Sequence, residues 1–224
     1  MTDLLCGFGG LAVCSSAVGL LDPLGPSAQL ALAVGIGAVA VGLLLREGAL
    51  VRTQTLMVVV ITSVVEVMAT RWLGLWDYRL GNLPVYLPAL HAVIFLAVVA
   101  VTRALPARRL TVGCALAGVG LWAAWDLLLG ERGDTVDVLW FVVLLGLCRH
   151  AETAARVPAT VALTVPHDLV ATGSGMVSYR PHDVTGLLSI SAQPSAIVGG
   201  YAFIYCLASL TAPLLLGLRQ RPAS

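Results

Sequence analysis

The sequence predicts an all-α fold, a polytopic membrane helix bundle of about eight spans arranged as two parallel four-helix repeats. Three observations carry that prediction. Of the 224 residues, 58% are hydrophobic and only 11% charged, with a mean hydropathy of +0.93, which leaves too little polar surface to keep a chain of this length dispersed in water. Apolar runs long enough to span a bilayer follow one another along the whole chain. The runs lack the alternation of barrel strands, and helices are then the elements that satisfy every backbone group in lipid.

Taken in order, span one covers about 4–21 and ends at a turn, Asp22-Pro23 to Pro26-Ser27. It lacks a basic leading region and reads as a span rather than a signal peptide. Span two, about 29–45, is glycine-rich and suited to close helix contact. Arg46, Glu47 and Arg52 mark the next loop. Span three starts near 55, runs beyond 70 and carries Glu66; a loop follows at about 78–84. Span four, about 85–101, carries His91, and Arg103, Arg108 and Arg109 make the middle loop. Span five, about 110–129, holds Trp122, Trp125 and Asp126, and an acidic loop from Glu131 to Asp137 leads to a short span six at about 138–148. The stretch 149–156 reads as a link to span seven, about 157–173, which carries His167 and Asp168. A polar loop, 174–193, leads through Gln193-Pro194 to span eight, about 195–218, with Gly199-Gly200-Tyr201 near its start and Arg219 and Arg221 beyond it.

The spans divide into halves 1–102 and 103–224. Sliding Glu66 onto His167 without gaps brings Gly74 onto Gly175, Tyr78 onto Tyr179 and Arg79 onto Arg180. Four spans per half give both halves the same orientation, related by an axis along the membrane normal. Nine of the 13 arginines fall on the side of the even-numbered loops and the C-terminus. That side is therefore expected in the cytoplasm, with both termini, in a multi-pass cell-membrane protein.

Some classes are excluded. A net charge of +1 gives no bulk attraction to nucleic acid. The five cysteines form no CxxC and sit inside apolar runs as packing residues. No phosphate-binding loop, dinucleotide fingerprint, nucleophile elbow or HExxH occurs. No cofactor and no metal site is expected. A carboxylate/histidine set of Glu66, His91, Asp126 and Asp168 has metal-binding chemistry, but no ligand spacing argues for it.

Depth points to a site. At 1.5 Å per residue, Glu66, His91 and Asp168 each lie about 10 Å inside the same end of their spans, with Asp126 nearer the surface. Burying charge there costs roughly 3 kcal/mol or more per group, so such groups face the bundle interior and mark a functional path or pair with each other. Trp72, Trp76, Tyr78, Tyr86, Trp122, Trp125, Tyr179 and Tyr201 share this level, as an interfacial belt or as pocket walls. Aromatic faces stabilise cations, and an acid in an apolar cavity can donate a proton. Arg79 and Arg180 can anchor an anionic head group or lipid phosphate.

Glu66, Gly74-Leu75-Trp76-Asp77-Tyr78 and Leu83-Pro84-Val85 leading into a span together resemble the small integral-membrane terpene cyclases, which include heterodimer-type lycopene cyclases and membrane-bound meroterpenoid cyclases. The resemblance covers about 30 residues. It implies a compact bundle of seven or eight helices whose buried carboxylates protonate an isoprenoid alkene or epoxide, with Glu66 at the position of a family acid. The paired acid that lycopene cyclases carry after Leu-Pro is absent, since this chain has Tyr86 and later His91. The expected roles follow. Glu66, Asp168, Asp126 and His91 are the catalytic candidates. Trp76, Tyr78, Trp122, Trp125, Arg79, Tyr179 and Arg180 are the substrate-binding candidates. The partner is a membrane lipid or isoprenoid. The alternative is a small membrane transporter or lipid-binding protein with the same outward-facing pocket.

Overall fold

The computed structural model describes residues 2–105, 108–130, 133–192 and 196–217. Glu131, Gln193, Pro194, Arg219 and Arg221 lie outside the described residues. The chain forms α1 (Thr2–Leu21), α2 (Pro26–Leu44), α3 (Ala49–Val67), β1 (Trp76–Tyr78), α4 (Leu87–Ala104), α5 (Arg109–Leu128), α6 (Thr135–Leu147), α7 (Ala151–Gly173), β2 (Val177–Tyr179) and α8 (Ala196–Leu215). The architecture is an all-α bundle, and its helices follow the apolar runs closely. Among the described residues, six helical segments are long and apolar enough to cross a membrane. The other two helices are short or polar. With 13 residues α6 is about 20 Å long, less than a hydrocarbon core. The longer one, α7, carries Glu152, Arg156, His167 and Asp168.

Helix α4 is the centre of the bundle. From Leu87 to Val101 its only ionisable residue is His91, and a helix apolar on every side is stable only when surrounded. Leu90 to Ala100 are buried without a break, and α1, α2, α3 and α7 pack around them. Helix α8 is the second hub, against α3, α6 and α7. The peripheral helices turn leucine and valine outward, as at Leu121 (72% exposed) and Val34 (69%), an apolar surface of the kind that meets membrane or a partner.

Two differences from the sequence reading shape the site. Three-residue strands β1 and β2 pair antiparallel, Trp76 opposite Tyr179 and Tyr78 opposite Val177, and join the ends of α3 and α7. Such short strands carry no readable periodicity. The second difference lies between 149 and 156, where a link was expected. Helix α7 already begins at Ala151, and Arg156 is buried inside it. Its guanidinium donates to Ser209 Oγ (2.6 Å) and Glu152 Oε1 (2.5 Å), reaches Gln54 Oε1 (3.4 Å) and lies over the Phe95 ring. One arginine thus ties α3, α4, α7 and α8, which removes it from the loop arginines used for orientation.

Candidate functional site

The approach to Glu66 is built by an irregular helix end. After Val67 the helix widens into a π-helical turn, Met68–Trp72, closed by Leu73 N–H donating to Met68 O at 2.9 Å. A π turn inserts one residue. Gly74 then adopts φ +59° and turns the chain back as β1. Helix α7 ends more regularly. Its Gly175 (φ +71°) and the Met176 N–H to Ala171 O bond form a Schellman-type cap before β2.

These two units match in detail. Thr70 Oγ1 donates to Glu66 O (2.7 Å) and Thr172 Oγ1 to Asp168 O (2.9 Å). Tyr78 donates to the Glu66 carboxylate (2.7 Å) and Tyr179 to the Asp168 carboxylate (2.9 Å). The gapless register holds at Gly74/Gly175 and Tyr78/Tyr179 but is one residue out before the π turn, where geometry pairs Glu66 with Asp168 rather than His167. His167 turns away and meets Ser15 Oγ at 2.9 Å.

Glu66 is 8% exposed and meets three polar groups. Oε2 accepts from Tyr78 Oη (2.7 Å) and Trp76 Nε1 (3.2 Å), and Oε1 faces His91 Nε2 at 3.2 Å. Burial and the adjacent Glu66 push the Tyr78 phenol well above its ordinary range, and burial and Asp168 do the same to Tyr179. Both phenols therefore remain donors. The Trp76 ring meets Tyr179 edge-on at 5.9 Å, and His91 leans on Tyr201 at 5.6 Å.

Beside Glu66 lies a cavity of about 130 Å³ whose wall is mostly apolar. Its lining includes Glu66, His91, Trp76, Tyr179, Tyr201 and Trp140. Asp168 does not line it and reaches it through Tyr179. Tyr78 supports Glu66 from the buried side. The remaining candidates lie elsewhere. Asp126 bonds with Trp122 and Asp137 at the α5–α6 junction, and Trp125 is 61% exposed. Arg180 forks onto Asp77 (2.6 and 2.7 Å), and Arg79 donates to Ser174 O at 3.3 Å. Both arginines brace the strand pair outside the cavity. Equal depth in a span does not fix the direction in which a side chain points, and depth was the argument for Asp126.

Trp140 was not among the candidates. It sits in the short span six, where no ionisable neighbour drew attention to it. It reaches the cavity because Gly199 of α8 lies against its backbone: a Cβ at Gly199 would stand 2.7 Å from Trp140 O. Among the described residues no three His, Cys, Asp or Glu side chains are grouped so as to hold a metal ion. Searched against known protein families, curated proteins and solved structures, the chain matches none.

Chemically, the arrangement is an acid–base pair under an apolar cavity. Glu66 Oε1 and His91 Nε2, 3.2 Å apart, are placed to share a proton. The two donors on Oε2 stabilise the carboxylate left when that proton departs.

Proposed function

We propose that this chain is an integral-membrane enzyme that protonates an isoprenoid alkene and lets the resulting carbocation close a ring. The observation that carries the reading is Glu66, held by Trp76, Tyr78 and His91 on the wall of an aromatic, mostly apolar cavity. Glu66 adds its proton to a carbon–carbon double bond. The cation forms between the faces of Trp76, Tyr179, Tyr201 and Trp140. A second double bond of the same substrate attacks the cation, and the new cation loses a proton to the Glu66–His91 pair. One proton enters and one leaves, so no cofactor or metal is consumed. Asp168 acts through Tyr179 by fixing the phenol against the cavity. The resemblance to membrane terpene cyclases agrees with the role of Glu66. Loop arginines favour cytoplasmic termini and an outward-facing strand pair.

The test is mass spectrometry of lipid extracts from host cells fed isoprenoid precursors, with and without this protein. A cyclised product that disappears in Glu66→Gln, with the variant folded in detergent, is expected. Unchanged product with Glu66→Gln removes Glu66 from the chemistry.

A second reading, a lipid or proton-coupled carrier, is favoured by one observation. Rings connect the cavity to the Arg156 cluster near the opposite end of the helices: His91 to Tyr201, Tyr201 to Tyr205 at 5.8 Å, and Tyr205 to Phe95 at 5.0 Å, with Arg156 over Phe95. An unmodified lipid that co-purifies with the protein, with no new product in cells, decides for this reading.

A further inference from the structure

Building on the enzyme reading, we infer that the Glu66 cavity is filled sideways, from the hydrocarbon phase, by the carbon-chain end of a membrane-dissolved polyene that passes between α3 and α6 at Val65 and Trp140.

The argument begins with packing. Helices α3 and α6 both pack on α8 but make no comparable contact with each other, so α8 forms the back of a cleft between them. The cavity occupies this cleft, with Val65 from α3, Trp140 from α6 and Gly200 from α8 on its wall. Val65 is also 36% exposed, and Trp140 is only partly buried. The cavity therefore reaches the outer surface between these two side chains.

The position of the opening selects the phase. Val65 stands seven residues before the end of the π turn at Trp72, and Trp140 five after the start of α6. At 1.5 Å per residue both lie about 8–10 Å below the strand-pair end. Apart from Glu66, the buried acid of the cavity itself, no ionisable side chain stands from 53 to 67 on α3 or from 138 to 147 on α6. Val60 and Val64 on α3 and Leu139 and Val142 on α6 are exposed apolar side chains. A charged or hydrated group would lose its solvation on this path, whereas a hydrocarbon chain loses nothing.

The water side, by contrast, is tied shut. Thr135 N–H donates to Ser189 Oγ (3.1 Å) and Ser189 N–H to Thr135 Oγ1 (3.0 Å). Ser191 N–H donates to Asp134, the cap of α6, and Arg180 pairs with Asp77. Leu75 and Ile190 roof the cavity beneath these ties. The ligand class is an unsaturated hydrocarbon chain end, with any head group left outside the cleft.

The experiment uses the full chain in phosphatidylcholine vesicles containing an acyclic polyprenyl hydrocarbon with a terminal diazirine. After irradiation, cross-links are mapped by mass spectrometry. Label is expected on the peptides containing Val65, Trp140 and Ile204. Gly200 faces open space where a Cβ would meet nothing within 4 Å, so Gly200→Leu fills the cavity without a backbone clash. Gly200→Leu and Val65→Trp should each lower cavity labelling about tenfold or more, the equivalent of about 1.4 kcal/mol. Leu121→Trp on the exposed face of α5 should leave it unchanged. Label spread evenly over the exposed apolar helices, or cavity label that survives both blocking variants, overturns the proposal. Glu66→Gln separates it from the enzyme reading. Cavity label that persists in this variant supports the sideways path whether or not product forms, and product formed in Val65→Trp at the wild-type rate refutes the path while leaving the chemistry intact.

Discussion

Tyr78 Oη lies 2.7 Å from Glu66 Oε2, and that bond crosses from the strand pair to the helix that carries the acid. The second unit repeats it with Tyr179 and Asp168 at 2.9 Å. The two bonds have different outlooks. Glu66 lines the cavity and its tyrosine stands behind it, while Tyr179 lines the cavity and its acid stands behind it. The same tyrosine–acid pairing thus presents a carboxyl group at the end of α3 and a phenol beyond the end of α7.

Removing the Tyr78 hydroxyl leaves Glu66 Oε2 with Trp76 as its remaining donor. Losing a hydrogen bond to a charged acceptor costs about 1.5–3 kcal/mol, which is roughly a 10- to 150-fold fall in a step that produces that charge. Tyr78→Phe is expected to lower turnover by that factor and to move the infrared band of the Glu66 carboxyl, assigned through Glu66→Gln. A band that does not move, with turnover unchanged, would show that Tyr78 does not set the state of the acid.

Acid should loosen the strand pair. The hydrogen bond and charge of Arg180 hold Asp77 below the usual carboxylate range. A depressed folded value contributes stability that is complete above the unfolded value, near 3.9, and is lost as pH falls through the folded value. Melting temperature should therefore have little dependence on this pair between pH 7 and 5 and fall below about pH 4. Asp77→Asn should remove that component. Both side chains are half exposed, so the effect is small and weakens with salt. A melting curve with the same acid limb in Asp77→Asn argues against the assignment.

The helices were legible because long apolar runs are the sequence pattern of helices able to cross a membrane, and Glu66 and His91 because an ionisable group inside such a run is conspicuous. Azimuth was not legible. Asp126, Trp122 and Trp125 lie near the depth of Glu66 yet gather at the α5–α6 junction. Nor was the π turn, whose single inserted residue makes a gapless alignment set Glu66 on His167 instead of Asp168. The charge of Arg156 reads as that of a loop residue; its partners Gln54 and Ser209 are distant in sequence and neutral, and give no signal. Pairing of β1 with β2 depends on two three-residue segments that helix ends happen to bring together.

Arg156 should be structural. Replacing it with Met removes bonds to Ser209, Glu152 and Gln54 at once. The Glu152 side chain is 53% exposed and can turn to water, so the expected loss is about 1–3 kcal/mol rather than that of a fully stranded buried ion. Arg156→Lys keeps the charge without the planar fork and should lie between. Thermal unfolding in detergent measures the loss, and turnover below the melting range should remain unchanged. A fall in turnover without loss of stability would place Arg156 in the function.

Two adjacent glycines should respond with opposite sign. A Cβ on Gly199 would stand 2.7 Å from the Trp140 carbonyl oxygen and 2.8 Å from its Cβ. Neither atom belongs to a flexible side-chain end, so α6 must shift from α8 and carry Trp140 with it. Overpacking of this kind costs about 1–3 kcal/mol, or roughly 2–4 °C per kcal/mol in melting temperature for a chain of this size. Gly200 has nothing within 4 Å of the same position, and alanine there gains up to about 1 kcal/mol of helix propensity. Gly199→Ala is thus expected to lower the melting temperature and reshape the cavity, and Gly200→Ala to leave stability level or raised. Equal responses at the two sites would mean that α6 and α8 do not meet as closely as the Gly199–Trp140 contact requires.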